Sequence, residues 1–458
     1  MSPYGSFVGM RAVLVGCAIV VGCGGGGGGA PRPVDGGSEI DSPPETNPDG
    51  TTTITVTLNN LPTDTGAFSF IAAYQDGNGA WKPAPSPSGD KYTFDVASTT
   101  WGFAYSCQAN VRVAGVATAL SDVVEVHFAV AERASLTQDI LARCTDRITY
   151  VELSGTINPR PSAGTFRIAY NGSVVFMDRT TGTYDMLVAP GTADLLFLHG
   201  TDNKTPGDFQ VDGAVVQRNV KVTAATTQNL SASNPPATQG PLATITVSKT
   251  STPPPTTTTD LFTASGTAAA VSDLTKGALN SPLLGAAQQL PTDVYDQRVT
   301  VQYVANQPVT LTFAAAKPSN QTVPAAPLPL GTTTTTSAAT MPYPMFKSTW
   351  PAYTGAIGYT WSLAQSPPVA ACGGAACTIT WTASLSPGAA GAMPSYTMPD
   401  LSQLPGWSAA LSFVAGTMAT GDVTAMTSTA GATDFPSSPP AAGTKRVFAH
   451  SKFTVTPP

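Results

Sequence analysis

The feature that most constrains this chain is a two-residue alternation, hydroxyl against branched aliphatic, that recurs in short runs. Thr53-Ile54-Thr55-Val56-Thr57-Leu58 is the first of them. A period of two puts Ile54, Val56 and Leu58 on one side of an extended segment and the threonines on the other, the pattern of a half-buried strand. Further strands are predicted at Phe68–Tyr74, Lys91–Val96, Gly102–Cys107 and Val123–Val130. Turn residues such as Asp76-Gly77-Asn78-Gly79 lie between them. Short strands at this spacing predict sandwiches or barrels. A chain rich in Thr, Val, Gly and Pro leans the same way, toward strands and tight turns. The expected fold class is all-β, with one short helix allowed at Ser135–Arg143.

The order of signals recurs. Val151 and Leu153 answer Val56 and Leu58, the run Gly164–Tyr170 answers Gly66–Tyr74, and Tyr184 and Val188 stand where Tyr92 and Val96 did. This predicts two copies of one topology. A third β-rich module, 240–316, opens at Thr244–Val247 and closes with Arg298–Val301 and Val309–Phe313. Between them, Ala268–Leu290 reads as a helix or a long loop, with Gly277 and Pro282 arguing against the helix. The predicted division is therefore module 1 over 51–147, module 2 over 148–235, module 3 over 240–316, a linker over 317–345 and a last module over 346–458. The linker prediction rests on Pro318–Pro344, which holds five threonines in a row from Thr332 to Thr336. Thr/Pro-rich linkers are expected to space the modules apart.

At the N-terminus, Arg11 precedes an apolar run, Ala12–Val21, of signal-peptide length and too short to span a bilayer as a helix. Val20-Val21-Gly22-Cys23 and the glycines Gly24–Gly29 follow. These residues resemble the lipobox of bacterial lipoproteins. The resemblance implies cleavage after residue 22, acylation of Cys23 with palmitate-like chains, and a flexible tether over 23–50. A second match ending at Cys17 leaves too little apolar length after Arg11. Gly24 in place of aspartate implies outer-membrane sorting, on the periplasmic face or the cell surface. Two or three acyl chains, at roughly 0.8 kcal/mol per buried methylene, would make attachment stable.

Two further resemblances concern the modules. Thr183–Leu195, a Tyr-containing strand, a Pro190-Gly191 turn and a following strand, resembles the carboxypeptidase-regulatory or transthyretin-like sandwich family, whose members are mostly accessory modules without catalysis. Trp350-Pro351, Tyr359–Leu363, Tyr396–Leu401 and Pro405-Gly406-Trp407 resemble a fibronectin type III domain. That likeness implies a core made by Trp350, Tyr359, Leu401 and Trp407, although Trp407 replaces the usual tyrosine. The sequence thus predicts tandem immunoglobulin-like β-sandwich modules joined by Thr/Pro-rich linkers.

Charge and chemistry narrow the function classes. Only 11% of residues are charged and the net charge is -6, which excludes the clustered Lys and Arg of a nucleic-acid binder. Of six cysteines, Cys17 leaves with the signal and Cys23 takes lipid. Cys107 with Cys144 and Cys372 with Cys377 are the economical disulfides of an exported chain, worth roughly 4 and 2 kcal/mol by loop entropy. Metal binding at Cys372–Cys377 lacks a second pair or a histidine to complete it. His127, His199 and His450 have no ligand spacing, and no Gly-x-Ser-x-Gly elbow accompanies them. A hydrolase would need one of them in a cleft against a Ser or Asp. Asp76–Gly79 and Asp202-Asn203 with Asp208 are calcium candidates that turn chemistry explains equally well. Trp81 and Trp101 lie near loops and are the candidates for stacking on a sugar, with core packing as the alternative. Trp361 and Trp381 alternate with polar strand residues. The function expected from sequence is non-enzymatic binding or structure in the cell envelope, without cofactor or metal. The partners expected are the membrane, through the anchor, and a protein or polysaccharide; the alternatives are carbohydrate or envelope-polymer binding and a cryptic hydrolase.

Overall fold

The computed structural model describes Asn47 and residues 50–458, apart from 60–70, 90, 113–119, 133–136, 142–150, 172, 203–208, 232–238, 248–254, 264, 266, 275–278, 284, 286–287, 324–328, 373–375 and 432–439. Among the described residues there is one short α-helix, Pro387–Ala390, and no helix long and apolar enough to cross a membrane. The rest is strands and their connections.

The first sandwich comprises β1 (Thr52–Asn59), β2 (Ile71–Asp76), β3 (Lys82–Pro83), β4 (Lys91–Val96), β5 (Thr100–Arg112), β6 (Leu120–Glu132) and β7 (Thr137–Leu141). Its smaller sheet runs β4-β1-β7 and faces the path β3-β2-β5-β6. The alternation predicted at Lys91–Val96 is realised residue by residue: Tyr92, Phe94 and Val96 are buried, while Lys91, Thr93 and Asp95 are exposed. The short helix predicted over Ser135–Arg143 is corrected by β7, which pairs parallel with β1 from Thr137 to Leu141. A segment this short gains little as an isolated helix, and pairing along a buried strand outweighs it.

The second sandwich repeats the plan with β8 (Val151–Asn158), β9 (Thr165–Tyr170), β10 (Ser173–Phe176), β11 (Thr183–Val188), β12 (Gly191–Asp202), β13 (Phe209–Val222), β14 (Thr226–Thr227) and β15 (Leu230–Ser231). Here β8 lies between antiparallel β11 and parallel β14 and β15, and the larger sheet runs β10-β9-β12-β13. The third has β16 (Gln239–Val247), β17 (Thr256–Phe262), β18 (Ala268–Leu274), β19 (Leu279–Leu283), β20 (Val294–Val304), β21 (Gln307–Ala315) and β22 (Gln321–Val323). Its paths are β19-β16-β22 and β18-β17-β20-β21. The first three sandwiches therefore share one strand order, one copy more than the sequence repeat showed. The stretch 268–290, read as helix or loop, instead supplies β18 and β19.

The fourth sandwich contains β23 (Thr334–Ala339), β24 (Met345–Thr349), β25 (Gly358–Gln365), β26 (Ala376–Leu385), β27 (Ser395–Thr397), β28 (Ala419–Ser428) and β29 (Lys445–Val455). Its order differs, β23-β24-β27 against β29-β28-β25-β26. Both β22 and β23 lie within 317–345, a stretch that composition alone reads as linker.

The four larger sheets are one sheet. Sixteen strands run without a break from β10 to β3, in the spatial order second, third, fourth, first sandwich. Each junction is a strand ladder. β13 meets β18 antiparallel at Phe209↔Asp273, β21 meets β29 antiparallel from Val309↔Ala449 to Phe313↔Lys445, and β26 meets β6 in parallel from Ala376↔Ser121 to Leu385↔Val130. Linkers thus connect modules that touch edge to edge rather than holding them apart, because at these three junctions a sheet edge finds its backbone partners in another module.

Two strands at or beside the junctions, β6 and β12, bury side chains on both faces. On β6, Val126 and Phe128 enter the core cluster of the fourth sandwich, whereas Ala129 and Ala131 belong to the core of the first. On β12, Leu195 and Phe197 face the core of the second sandwich; Leu196 and Leu198 pack with Leu261 and Tyr295 of the third. Burial on two sides removes alternation and leaves a continuous apolar run, as at Leu195-Leu196-Phe197-Leu198.

Candidate functional site

The cysteines divide by place. Cys372 and Cys377 are joined in a disulfide that closes the loop ahead of β26. Cys17, Cys23 and Cys144 lie outside the described residues. Cys107 is described only as a backbone position on β5, in register with Glu125 of β6, so the Cys107–Cys144 pairing falls outside the described residues as well.

The tryptophans expected to stack on a sugar do not share a surface. Trp101 is fully buried in the first core, its ring edge-on to Phe94 at 6.0 Å and its indole N–H donating to the Glu132 carbonyl at 3.2 Å. It presents no face to a ligand, which corrects its reading as a binding residue. Trp81 is half-buried on the opposite side of the sheet, edge-on to Phe128 at 5.6 Å. Its ring needs the space left by Gly102, where an added Cβ would stand 3.0 Å from Cη2. Trp361 and Trp381 are core residues with satisfied N–H groups, on Ser348 Oγ at 2.9 Å and the Leu411 carbonyl at 2.8 Å. Trp350 and Tyr359 are buried with ring centroids 5.8 Å apart, and Leu401 is buried beside them. Trp407 stacks on Tyr343 at 4.5 Å.

Two histidines meet carboxylates. His199 Nδ1 is 2.5 Å from Asp212 Oδ1 and Nε2 is 3.2 Å from the Ala163 carbonyl oxygen. His450 Nδ1 is 2.9 Å from Asp422 Oδ2 and 3.0 Å from Thr424 Oγ1. A hydroxyl–histidine–carboxylate relay needs its two partners on opposite ring nitrogens; here both share Nδ1. His127 is placed on β6 opposite Tyr105, and its side chain lies outside the described residues.

The Asp76 loop is spent on turn chemistry. The two Asp76 oxygens accept from the Ala97 and Ser98 N–H groups at 3.1 and 2.8 Å. Burial raises the Asp76 pKa, but these bonds, the Ser98 hydroxyl and Lys82 together hold it below its ordinary value. Gly77 adopts φ 57, and an added Cβ would meet Ser98 Oγ at 2.6 Å. Asn203 and Asp208, of the second calcium candidate, lie outside the described residues. Among the described residues no three His, Cys, Asp or Glu side chains gather as metal ligands.

The densest charged constellation is structural. Arg218, on β13, donates to Asp194 Oδ2 at 2.8 Å, to both oxygens of Asp293 at 3.0 and 2.6 Å, and to the Gln288 carbonyl at 2.5 Å. The Asn219 N–H reaches Asp194 Oδ1 at 3.0 Å, and Gln288 Oε1 receives the Val216 N–H at 2.7 Å. Asp194 and Arg218 come from the second sandwich, Gln288 and Asp293 from the third. The Asp194 carboxyl is pushed up by burial, yet the Asn219 N–H, Arg218 and the Thr263 hydroxyl bring it below the ordinary carboxylate value. The network locks two modules together.

The recess with the makings of a binding site lies at one end of the β23-β24-β27 sheet. Its floor follows from register: Thr334 pairs with Thr349 and Thr349 with Ser395, so three hydroxyl side chains stand in a row across three strands. The next row sets Lys347 between Thr336 and Thr397. Thr332, Trp350, Pro351, Met393 and Pro394 complete a cleft of about 530 Å³. Met393 is 87% exposed at its rim. The buried Trp350 indole N–H has no hydrogen-bond partner among the described residues, while its backbone N–H donates to the Pro394 carbonyl at 3.1 Å. Sequence reading missed this site because it took Thr332–Thr336 for linker. The signal was weak, an unbroken run of hydroxyl residues from Thr332 to Ser337 that has strand propensity but no alternation. Compared with models of known protein families, the chain matches none, and a search of curated proteins finds no sequence similar to it.

Proposed function

We propose that this chain is an exported, lipid-anchored envelope protein that acts by binding and by structure rather than by catalysis. The observation that carries the reading is the row Thr334, Thr349 and Ser395 beside Lys347, set on a sheet whose core is continuous with the third and first sandwiches. A site on packed strands is held in fixed geometry and gives hydroxyls defined directions. The lipobox at Val20–Cys23 supplies the address, outer-membrane attachment through acylated Cys23, and the Gly-rich tether supplies reach. The strand orders of the first three sandwiches and of the fourth support the transthyretin-like and fibronectin-like readings respectively.

Cys23→Ser is expected to abolish labelling by a palmitate analogue and to move the protein from the membrane to the soluble fraction. Unchanged labelling and fractionation would sink the anchor. A hydroxyl-rich envelope polymer is the ligand class favoured by the cleft, since neighbouring Thr and Ser groups both donate and accept and Lys347 takes an acidic substituent. Lys347→Ala combined with Thr349→Val is expected to weaken retention on immobilised envelope polysaccharide. Equal retention of variant and wild type would remove that ligand class.

A further inference from the structure

The sixteen-stranded sheet ends differently at its two margins. At one, β3 is two residues long, Lys82 and Pro83. A lysine and a proline, which lacks an N–H, are devices that keep a sheet edge from recruiting another strand. At the other margin stands β10, Ser173-Val174-Val175-Phe176, which among the described residues pairs within the sheet with β9 and reaches β11 through Ser173 Oγ, donating to the Leu187 carbonyl at 2.8 Å. It carries neither charge nor proline. Val174 is 47% exposed and Phe176 50%. Two edge strands of the smaller sheets are built otherwise: β4 shows Lys91, Thr93 and Asp95 to solvent, and β11 shows Thr183 and Asp185.

Val174 and Phe176 also continue an apolar face that the chain already uses for joining. They stand opposite Ala169 and Arg167 of β9, on the side where Ala169, Leu196 and Phe209 pack with Leu261 and Tyr295 at the junction of the second and third sandwiches. Phe176 lies edge-on to Phe209 at 5.8 Å, and the Arg167 guanidinium covers both rings at 5.2 and 4.3 Å. An ordered aromatic at a sheet margin loses little freedom when a partner covers it.

We infer that β10 is a dimerisation edge, and that its partner is β10 of a second copy of this chain. An antiparallel pair centred on Val175 sets Val174 of each copy opposite Phe176 of the other, a β-branched residue against an aromatic at both ends. The contact is isologous, so it closes at two copies. With no charge on the strand, two identical edges meet without repulsion. Every module junction in the monomer is made in the same way, by one sheet edge continuing into another. The dimer extends that construction across a two-fold axis.

The test is sedimentation equilibrium of the full-length, lipidated protein in density-matched detergent. The wild type is expected to show two polypeptides per particle. Val174→Lys with Phe176→Lys should raise the dissociation constant at least about tenfold, leaving the melting curve in place. Val174→Thr with Phe176→Thr keeps strand propensity and should weaken association in the same direction, which separates a lost edge from a misfolded module. A wild type that stays monomeric as concentration rises, or a lysine variant that associates as tightly as wild type, overturns the inference. So does a photo-crosslinker at Phe176 that captures a different protein and never a second copy.

Discussion

Arg218 is the residue on which the packing of the second sandwich against the third turns. It faces two carboxylates that are almost wholly withdrawn from water, Asp194 at 3% side-chain exposure and Asp293 at 0%. Arg218→Met would remove a cation that both carboxylates share, a loss on the order of 3–5 kcal/mol for a broken buried pair; urea unfolding measures it. Asp194 adds a pH dependence of known sign. Its folded pKa lies below the ordinary value, so its contribution to stability is complete above about pH 4 and is lost as pH falls through the folded pKa. In Asp194→Asn that contribution is absent at every pH, so its melting temperature is lower at neutral pH and falls less steeply in acid. Little of this was visible in the sequence. Asp194, Arg218 and Asp293 have no telling spacing, and only folding brings them within hydrogen-bonding distance. Trp361 and Trp381, by contrast, were legible as members of alternating strands, because an alternation already states which side is dry. Trp101 was misread because nearness to a turn says nothing about facing, and its neighbours Phe103 and Tyr105 share its buried side.

Among the elements, β6 carries the most, being the strand on which the first and fourth sandwiches meet. Phe128 packs on Trp81, Trp381 and Tyr396 with ring centroids 5.6, 5.4 and 5.9 Å away. Phe128→Ala is expected to cost about 3–5 kcal/mol, the range for a buried aromatic. Near-ultraviolet circular dichroism of the tryptophans should change with it, since two of them lose a ring neighbour. Isolated strands were the readable elements. Lys91–Val96 is legible to the residue and Thr183–Val188 lies within the Thr183–Leu195 pattern, since each has one wet face and turns at both ends. β7 escaped because its partner, β1, is distant in sequence, whereas β18 and β23 pair with their neighbours β17 and β24 but are alanine- or threonine-rich. Alanine- or threonine-rich segments have no periodicity strong enough to announce a pairing of that kind.

Across the whole molecule, unequal junctions predict unequal melting. The third, fourth and first sandwiches contribute to one buried cluster, running from Val299 and Leu311 through Trp361 to Phe128. The second is tied on by a two-residue ladder, a smaller apolar cluster and the Arg218 network. Differential scanning calorimetry should therefore resolve two transitions, a smaller one for the second sandwich and a larger one for the other three. Arg218→Met should lower the smaller transition and leave the larger in place. A single sharp transition in both proteins would contradict this division. That sandwiches would form was legible from local patterning. That they would fuse was not, because a sheet edge reads the same whether water or another module lies beyond it.

The parallel ladder between β26 and β6 has a consequence in time. Glu132, at the end of β6, receives the Gly388 N–H from 256 positions further along the chain. A ribosome makes the first sandwich early and its neighbour in the sheet last, and loop closure over such a span is slow. During synthesis, then, the β6 edge and the apolar residues Val126 and Phe128 wait uncovered while three further modules are made. Through that interval the edge stays open to other strands, and the arrival of Ala376–Leu385 closes it.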